Sequence, residues 1–273
     1  MHVTGHKRVT GPERSEGMSF RPHPDRRPVL VAGASSGIGA ATASWLGAQG
    51  YPVALAARRT DRLQELAEQI NSAGGEAVAV PLDVTDESSV QDGVAKAQAA
   101  LGDLEIVVAS AGDLAVGLSY ETDTEAFADQ IGIHLTGAYR LYRTVIGGMI
   151  DRARGDVVFI GSDVAIRPRP WSSAYVAAKS GIDGLVGTIQ LELEGTGVRA
   201  GVVRPGQTLT GMGMNLDQQT TERMLNDWIT HGLARHGNFL APEHIAQAVA
   251  AMVTMPRGAH MRSVEVEAEG ALS

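Results

Sequence analysis

Cysteine is missing from all 273 residues. Its absence excludes disulfides, thiolate catalysis and cysteine-based zinc sites, and it fits a reducing, cytoplasmic setting. No metal site is expected. No stretch approaches the roughly 20 consecutive apolar residues that cross a bilayer, so no membrane span is expected. The N-terminus lacks the apolar run of a secretory signal, and nothing in it points to export. A basic surplus is missing too. The net charge is −8, and residues 1–27 hold six basic against three acidic side chains, so the remainder is more acidic still. Phosphate binding depends on a basic surface, which argues against nucleic acid as a partner. Neither an internal repeat nor a linker divides the body.

Glycine, by contrast, is abundant at 33 residues, alongside 44% hydrophobic residues. That combination points to tight turns and close backbone approaches within a packed domain, not to disorder. Residues 1–27 have no apolar period and are rich in Gly, Pro, His and charge. They read as a flexible N-terminal extension, either a start upstream of Met18 or a basic tail that docks onto a partner. From residue 28 to 273 the pattern is regular. Short apolar runs without strict alternation read as buried parallel strands: Val29–Ala32, Val53–Ala57, Ala77–Val80, Ile106–Ala109, Val157–Ile160, Val198–Val203 and Val264–Val266. Helical stretches lie between them, at about 39–49, 61–73, 86–100, 122–150, 172–195 and 242–255. The alternation predicts an α/β fold, a doubly wound seven-stranded parallel sheet with helices on both faces, in one domain.

Residues 207–240 break the rhythm. Met212, Met214, Leu216, Met224, Leu225 and Trp228 stand there among polar residues, which reads as a lid over a substrate or as a surface helix pair packed on the core.

Gly33-Ala-Ser35-Ser36-Gly37-Ile38-Gly39 sits where the first strand gives way to a helix. Glycines there allow a tight turn and let backbone N–H groups approach a pyrophosphate at a helix N-terminus. The Gly-x-x-x-Gly-x-Gly spacing resembles the opening signature of the short-chain dehydrogenase/reductase family. The resemblance implies a Rossmann-like parallel sheet and a nicotinamide cofactor. At the end of the second strand a carboxylate would bind the ribose 2′-OH of NAD, whereas arginine accommodates a 2′-phosphate. Ala57 fills that position and Arg58 and Arg59 follow, so NADP is expected over NAD. The alternative is that both are solvated charges pairing with Asp61 or Glu65. Asp83-Val84 resembles the family's adenine-contacting pair. Ser110-Ala111-Gly112 resembles its Asn-Ala-Gly, with serine in the asparagine position and one contact to the central sheet at stake.

Tyr175-Val-Ala-Ala-Lys179 follows Ser162 by thirteen residues. Four positions apart on a helix, Tyr175 and Lys179 share a face. Ser162 ends a strand, which places it at the sheet edge where ligands bind. A neighbouring ammonium favours a phenolate, so Lys179 is expected to move Tyr175 toward neutrality and fit it for acid–base work. For a reduction, Ser162 and Tyr175 would hydrogen-bond the carbonyl oxygen and Tyr175 would supply the proton. Lys179 would tune Tyr175 and bind the nicotinamide ribose. Pro205-Gly206 resembles the family's turn beside the nicotinamide, with Thr208 and Thr210 near the carboxamide or diphosphate. The family's fourth catalytic member, an asparagine, is replaced by His134. Histidine there either holds a proton-relay water, adding a titration near pH 6.5, or packs as a neutral side chain.

The helix 172–195 carries Val176, Ala177, Ile182, Leu185, Val186, Ile189, Leu191 and Leu193 almost all round. One side can pack on the sheet, and the other suggests a second subunit; the family resemblance implies a homodimer or homotetramer through this helix and helix 122–150. The expected partner is a small carbonyl or alcohol substrate with an apolar or aromatic portion facing the lid. Steroid, acyl, terpenoid and xenobiotic skeletons are equally open, as is the direction of reaction. The rival reading is a catalytically silent NADP-binding sensor or scaffold. An epimerase or dehydratase would reuse the same residues but is disfavoured without a large C-terminal substrate domain.

Overall fold

The computed structural model describes residues 25–212, 216–233 and 237–270. Met214 and residues 1–24 lie outside them. The elements run β1 (Val29–Ala32), α1 (Gly37–Ala48), β2 (Pro52–Ala57), α2 (Thr60–Ser72), β3 (Glu76–Pro81), α3 (Glu87–Leu101), β4 (Ile106–Ala109), α4 (Thr124–Ile131), α5 (Gly137–Asp151), β5 (Gly155–Ile160), α6 (Ser173–Glu192), β6 (Val198–Pro205), α7 (Gln218–Thr230), α8 (Pro242–Thr254) and β7 (Ser263–Val266). All seven strands pair in parallel in the order β3-β2-β1-β4-β5-β6-β7. The chain moves outward from β1 to β3 and then returns to β4 on the other side of β1. Open sheets of this kind bind ligands beyond the strand C-termini at that reversal.

Apolar side chains alternate through the sheet into two cores. Leu30, Ala32, Ala54 and Val107 point to one face, against Val94 of α3, Val145 of α5 and Ile182 of α6. Val29, Val31, Val53 and Ile106 point to the other, against Leu46 of α1, Leu63 of α2 and Val249 of α8. Each such side chain buried in full is worth roughly 1.5–3 kcal/mol, which is why β1 and β4 carry no polar residue.

Three features depart from the reading of the sequence. The first concerns residues 26 and 27, expected within the flexible extension. Arg27 is 6% exposed, ion-paired with Asp156 and Glu105 and hydrogen-bonded to the Val253 carbonyl, while Arg26 pairs with Glu76. The body therefore starts before Pro28. A buried guanidinium must be paired, and these contacts close the sheet edge away from the site. Second, the helix expected over 122–150 is interrupted by a π turn at Gly132–Thr136, between α4 and α5. Third, the segment 207–240 contains one helix, α7, rather than a pair among the described residues, with Met224 as its buried anchor. It starts at Asp217, whose carboxylate accepts the Thr220 N–H at 2.9 Å.

Candidate active site

Ser162 emerges where β5 runs out. The Gly161 N–H still donates to the Val203 carbonyl at 2.7 Å, so strand pairing holds the backbone up to the serine. A 3₁₀ turn over Asp163–Ala165 follows, and the Ser162 Oγ caps it by accepting the Val164 N–H at 3.3 Å. The same hydroxyl donates to Asp163 Oδ1 at 3.2 Å. Across from it, α6 begins two residues before Tyr175, a half-buried residue whose phenol lies close enough to the Ser162 hydroxyl to be influenced by it. Lys179, one turn on, is buried and donates from Nζ to the Ile160 carbonyl at 2.7 Å. Its ammonium stands 5.5 Å from the Tyr175 ring centroid. The three side chains expected to work together do converge.

Their protonation differs from expectation at one point. Burial pushes the Tyr175 phenol up to about 12, with Asp163 adding to the rise and the Ser162 hydroxyl and Arg169 opposing it. The expected move toward neutrality does not occur. Lys179 donates to the Ile160 carbonyl and lies against the ring, and burial pushes its own ammonium down to about 8, with Asp183 opposing. Desolvation outweighs charge here.

At the same sheet edge, the turn after β1 is built for close approach. Gly33 has φ +83°, and a Cβ there would stand 2.7 Å from the Ala111 nitrogen and the Ser110 carbonyl oxygen. A Cβ on Gly39 would sit 2.3 Å from the Gly33 carbonyl oxygen. Only glycine fits at either position. The Ser36 side chain makes no capping bond to α1, so the first N–H groups of that helix are left for an anion. Arg59 arches over this turn, donating to Ser35 Oγ at 2.9 Å and to Ser36 Oγ at 2.7 Å. These features fit a dinucleotide phosphate.

A profile described as short chain dehydrogenase matches residues 27–221. The chain belongs to the short-chain dehydrogenase/reductase family. It is 31% identical to glycine betaine reductase ATRR of Emericella nidulans over 87% of this chain, but spans only 18% of that protein's length. It is 30% identical to 2,3-dihydro-2,3-dihydroxybenzoate dehydrogenase of Bacillus subtilis, over 72% of this chain and 76% of the relative. Among solved structures, a variant of actinorhodin polyketide ketoreductase with NADPH superposes with a TM-score of 0.81 at 28% identity, covering 90% of this chain and 97% of that one. That neighbour carries NADPH.

The remaining expected residues take up defined places around that site. Arg59 faces the serines of the glycine turn, and Glu65 is paired by Arg62 at 3.1 Å, so the alternative pairing with Glu65 is not seen. Arg58 is exposed and lies close enough to Asp83 to act on its charge. Partial burial pushes the Asp83 carboxyl up, but the Thr85 hydrogen bonds and Arg58 together hold it below its ordinary value. Val84 is packed under Gly137, where a Cβ would meet it at 2.9 Å. Ser110 gives its N–H to the Ala32 carbonyl at 3.1 Å, linking β4 to β1 at the reversal point. Pro205 ends β6, and the Gly206 N–H bonds the Val266 carbonyl at 2.8 Å. Thr208 caps its own turn on the Gly206 carbonyl at 3.0 Å. Thr210 lies against Gly37, 3.2 Å from where a Cβ would stand.

His134, the departure from the family's asparagine, lies on the π turn. Its Nε2 meets the Asp113 carbonyl at 2.6 Å, which makes Nε2 the protonated nitrogen. Nδ1 is buried and has no partner among the described residues. The ring stands edge-on to Tyr175 at 5.1 Å and leaves no room for a side chain on Gly112. Burial, then the Lys179 charge, push the imidazole down to about 3 against the pull of the Asp113 carbonyl. Of the two readings of His134, this depressed pKa favours the neutral ring over a titration near pH 6.5. Sequence reasoning missed Asp163, Arg169 and Trp171, which stand in a proline-punctuated loop where spacing carries no periodic signal.

Proposed function

We propose that this protein moves hydride between NADP(H) and the carbonyl or alcohol carbon of a small, partly apolar substrate, with Tyr175 as general acid and base. The observation that carries the reading is the convergence of Ser162, Tyr175 and Lys179, the lysine against the tyrosine ring, on the sheet edge that also bears the glycine turn. When bound, the nicotinamide supplies or takes the hydride. Gly33, Ser35, Ser36, Gly37, Ile38 and Gly39 would hold the pyrophosphate. Arg58 and Arg59 would meet the 2′-phosphate, Asp83 and Val84 the adenine, and Ser110, Ala111 and Gly112 the adjoining ribose. Lys179, Pro205, Gly206, Thr208 and Thr210 would hold the nicotinamide end.

In a reduction, the substrate carbonyl oxygen accepts hydrogen bonds from Tyr175 and from Ser162, whose hydroxyl turns to it from Asp163 Oδ1. As the carbonyl carbon gains hydride, the oxygen gains the Tyr175 proton, and an alcohol results. With its phenol held protonated, Tyr175 starts in the form that a reduction requires. The preference for NADP is supported by Ala57 at the end of β2, where a ribose-binding carboxylate would otherwise stand, and by the two arginines that follow. It is also supported by the NADPH that accompanies the actinorhodin ketoreductase neighbour. The protein works as a homodimer or homotetramer through α5 and α6.

The test is a screen of ketones and aldehydes with NADPH, and of alcohols with NADP. Tyr175→Phe should lose at least about 100-fold in kcat, the low end for general acid catalysis, while NADPH binding by fluorescence stays unchanged. A phenylalanine variant as active as the parent would sink the assignment. A parent that binds NADPH yet turns over nothing would instead fit the silent sensor.

A further inference from the structure

Asp163 follows Ser162 and is 3% exposed. Both of its carboxylate oxygens are in use. Oδ1 takes the Ser162 hydroxyl at 3.2 Å, and Oδ2 is held by Arg169 Nη2. A buried carboxylate is costly unless paired, and Arg169 is its only ion-pair partner among the described residues. Arg169 in turn lies over the Trp228 indole, with Cζ 5.5 Å from the ring centroid. Trp228 belongs to α7, which grips the 169–171 loop reciprocally. The Trp228 Nε1–H donates to the Pro170 carbonyl at 3.0 Å, and the Trp171 Nε1–H donates to Asp227 Oδ2 at 2.7 Å. Arg223 of α7 stacks on Trp171 at 4.8 Å. Trp171 holds φ +71°, a conformation that is costly for a bulky residue and persists only where packing imposes it.

An unbroken line of contacts thus runs from the helix of the expected lid to the hydroxyl beside Tyr175. We propose that Asp163 and Arg169 are positioning residues that tie the orientation of the Ser162 hydroxyl to the docking of α7. The proposal rests on the oxidoreductase reading for what Ser162 does, but not for the coupling itself. With α7 docked, Trp228 holds the guanidinium flat and Arg169 engages the carboxylate, so that Ser162 can turn its proton from Asp163 Oδ1 to the substrate oxygen. With α7 undocked, Arg169 loses its platform and the less well paired carboxylate keeps the serine proton. The two charges also act in opposite directions on the Tyr175 phenol, Asp163 raising its pKa and Arg169 lowering it. Removing Arg169 alone therefore leaves an uncompensated negative charge beside the acid, whereas removing both does not.

The test compares Asp163→Asn, Arg169→Gln and the double variant, with ethyl acetoacetate and cyclohexanone as ketone probes. Arg169→Gln should lower kcat about tenfold, leave KM for NADPH within twofold, and speed amide exchange in residues 218–230 about tenfold. The double variant should be no slower than Arg169→Gln alone, and Arg169→Lys, which keeps the charge, should recover part of kcat. If Arg169→Gln does not fold, as judged by circular dichroism, Trp228→Leu removes the same platform from the solvent side. A kcat and an α7 exchange rate both unmoved would overturn the proposal, as would kcat losses that multiply in the double variant. If the parent reduces no carbonyl at all, the oxidoreductase reading fails on its own, and exchange in α7 alone then decides the coupling.

Discussion

A histidine that is 2% exposed and within reach of a lysine charge binds a proton only at a cost. His134 pays for neutrality with nothing visible from outside, yet its state has a consequence for acid stability. Its pKa is pushed down to about 3 in the fold from an ordinary 6.5. Between those values the unfolded chain binds the proton and the folded one does not. Stability from this group is therefore whole above pH 6.5 and drains away as pH falls toward 3. His134→Asn, which restores the family's residue and removes the titration, should flatten that decline by an amount on the order of a few kcal/mol at the acid end. Urea unfolding at pH 7, 5.5 and 4 would measure it, and parallel slopes for parent and variant would defeat the argument. The pH profile of kcat should also lack a limb near 6.5 that His134→Asn removes.

At the scale of elements, the proposed preference for NADP rests on the junction of β2 with α2 and its contact with the start of α1. Ala57 ends β2 without a carboxylate, and Arg59 reaches back to the two serines of the glycine turn. A charge-assisted bond to phosphate is worth about 1.5–3 kcal/mol. Arg58→Ala and Arg59→Ala should thus each weaken NADPH binding about tenfold or more and leave NADH within twofold, as read by cofactor fluorescence titration. Equal losses for both cofactors would return the arginines to ordinary surface charge. These elements were legible in the sequence because buried parallel strands are continuous apolar runs, and because the glycine turn and the Tyr175–Lys179 spacing depend on local geometry alone. What was not legible depends on distance. The π turn inserts one residue without disturbing the apolar period of 122–150. Residues 207–240 stood out from the rhythm, but Met224 alone does not reveal a helix over 218–230. The direction of the Tyr175 shift followed from how densely the fold packs around the phenol, which no spacing encodes. The Asp163–Arg169 pair joins residues across Pro168, in a loop where no period exists to read.

For the molecule as a whole, the unfinished surface is the outer side of α6. Its inner side is spent on the sheet, through Ile182, Val186 and Ile189. The outer side carries Ser180, Gly184, Thr188 and Leu191, all exposed and spaced to form one stripe. Leu191 is 63% exposed, and Tyr139 and Ile150 of α5 are exposed as well. Nothing lies within 4 Å of a Cβ built on Gly184 or Gly187. Glycine inside a helix costs about 1 kcal/mol relative to alanine, and no contact within the chain compensates for it at these two positions. A second copy packed closely along the stripe would, because small residues let helix axes approach. Gly184→Arg separates fold from assembly: it occupies open space in the monomer and improves helix propensity, but it puts a charged side chain between two helices. The parent should scatter light as a dimer or tetramer, and the variant as a monomer with an unchanged or slightly higher melting temperature. A parent that is monomeric at micromolar concentration would remove the interface, and the glycines of α6 would then need another explanation.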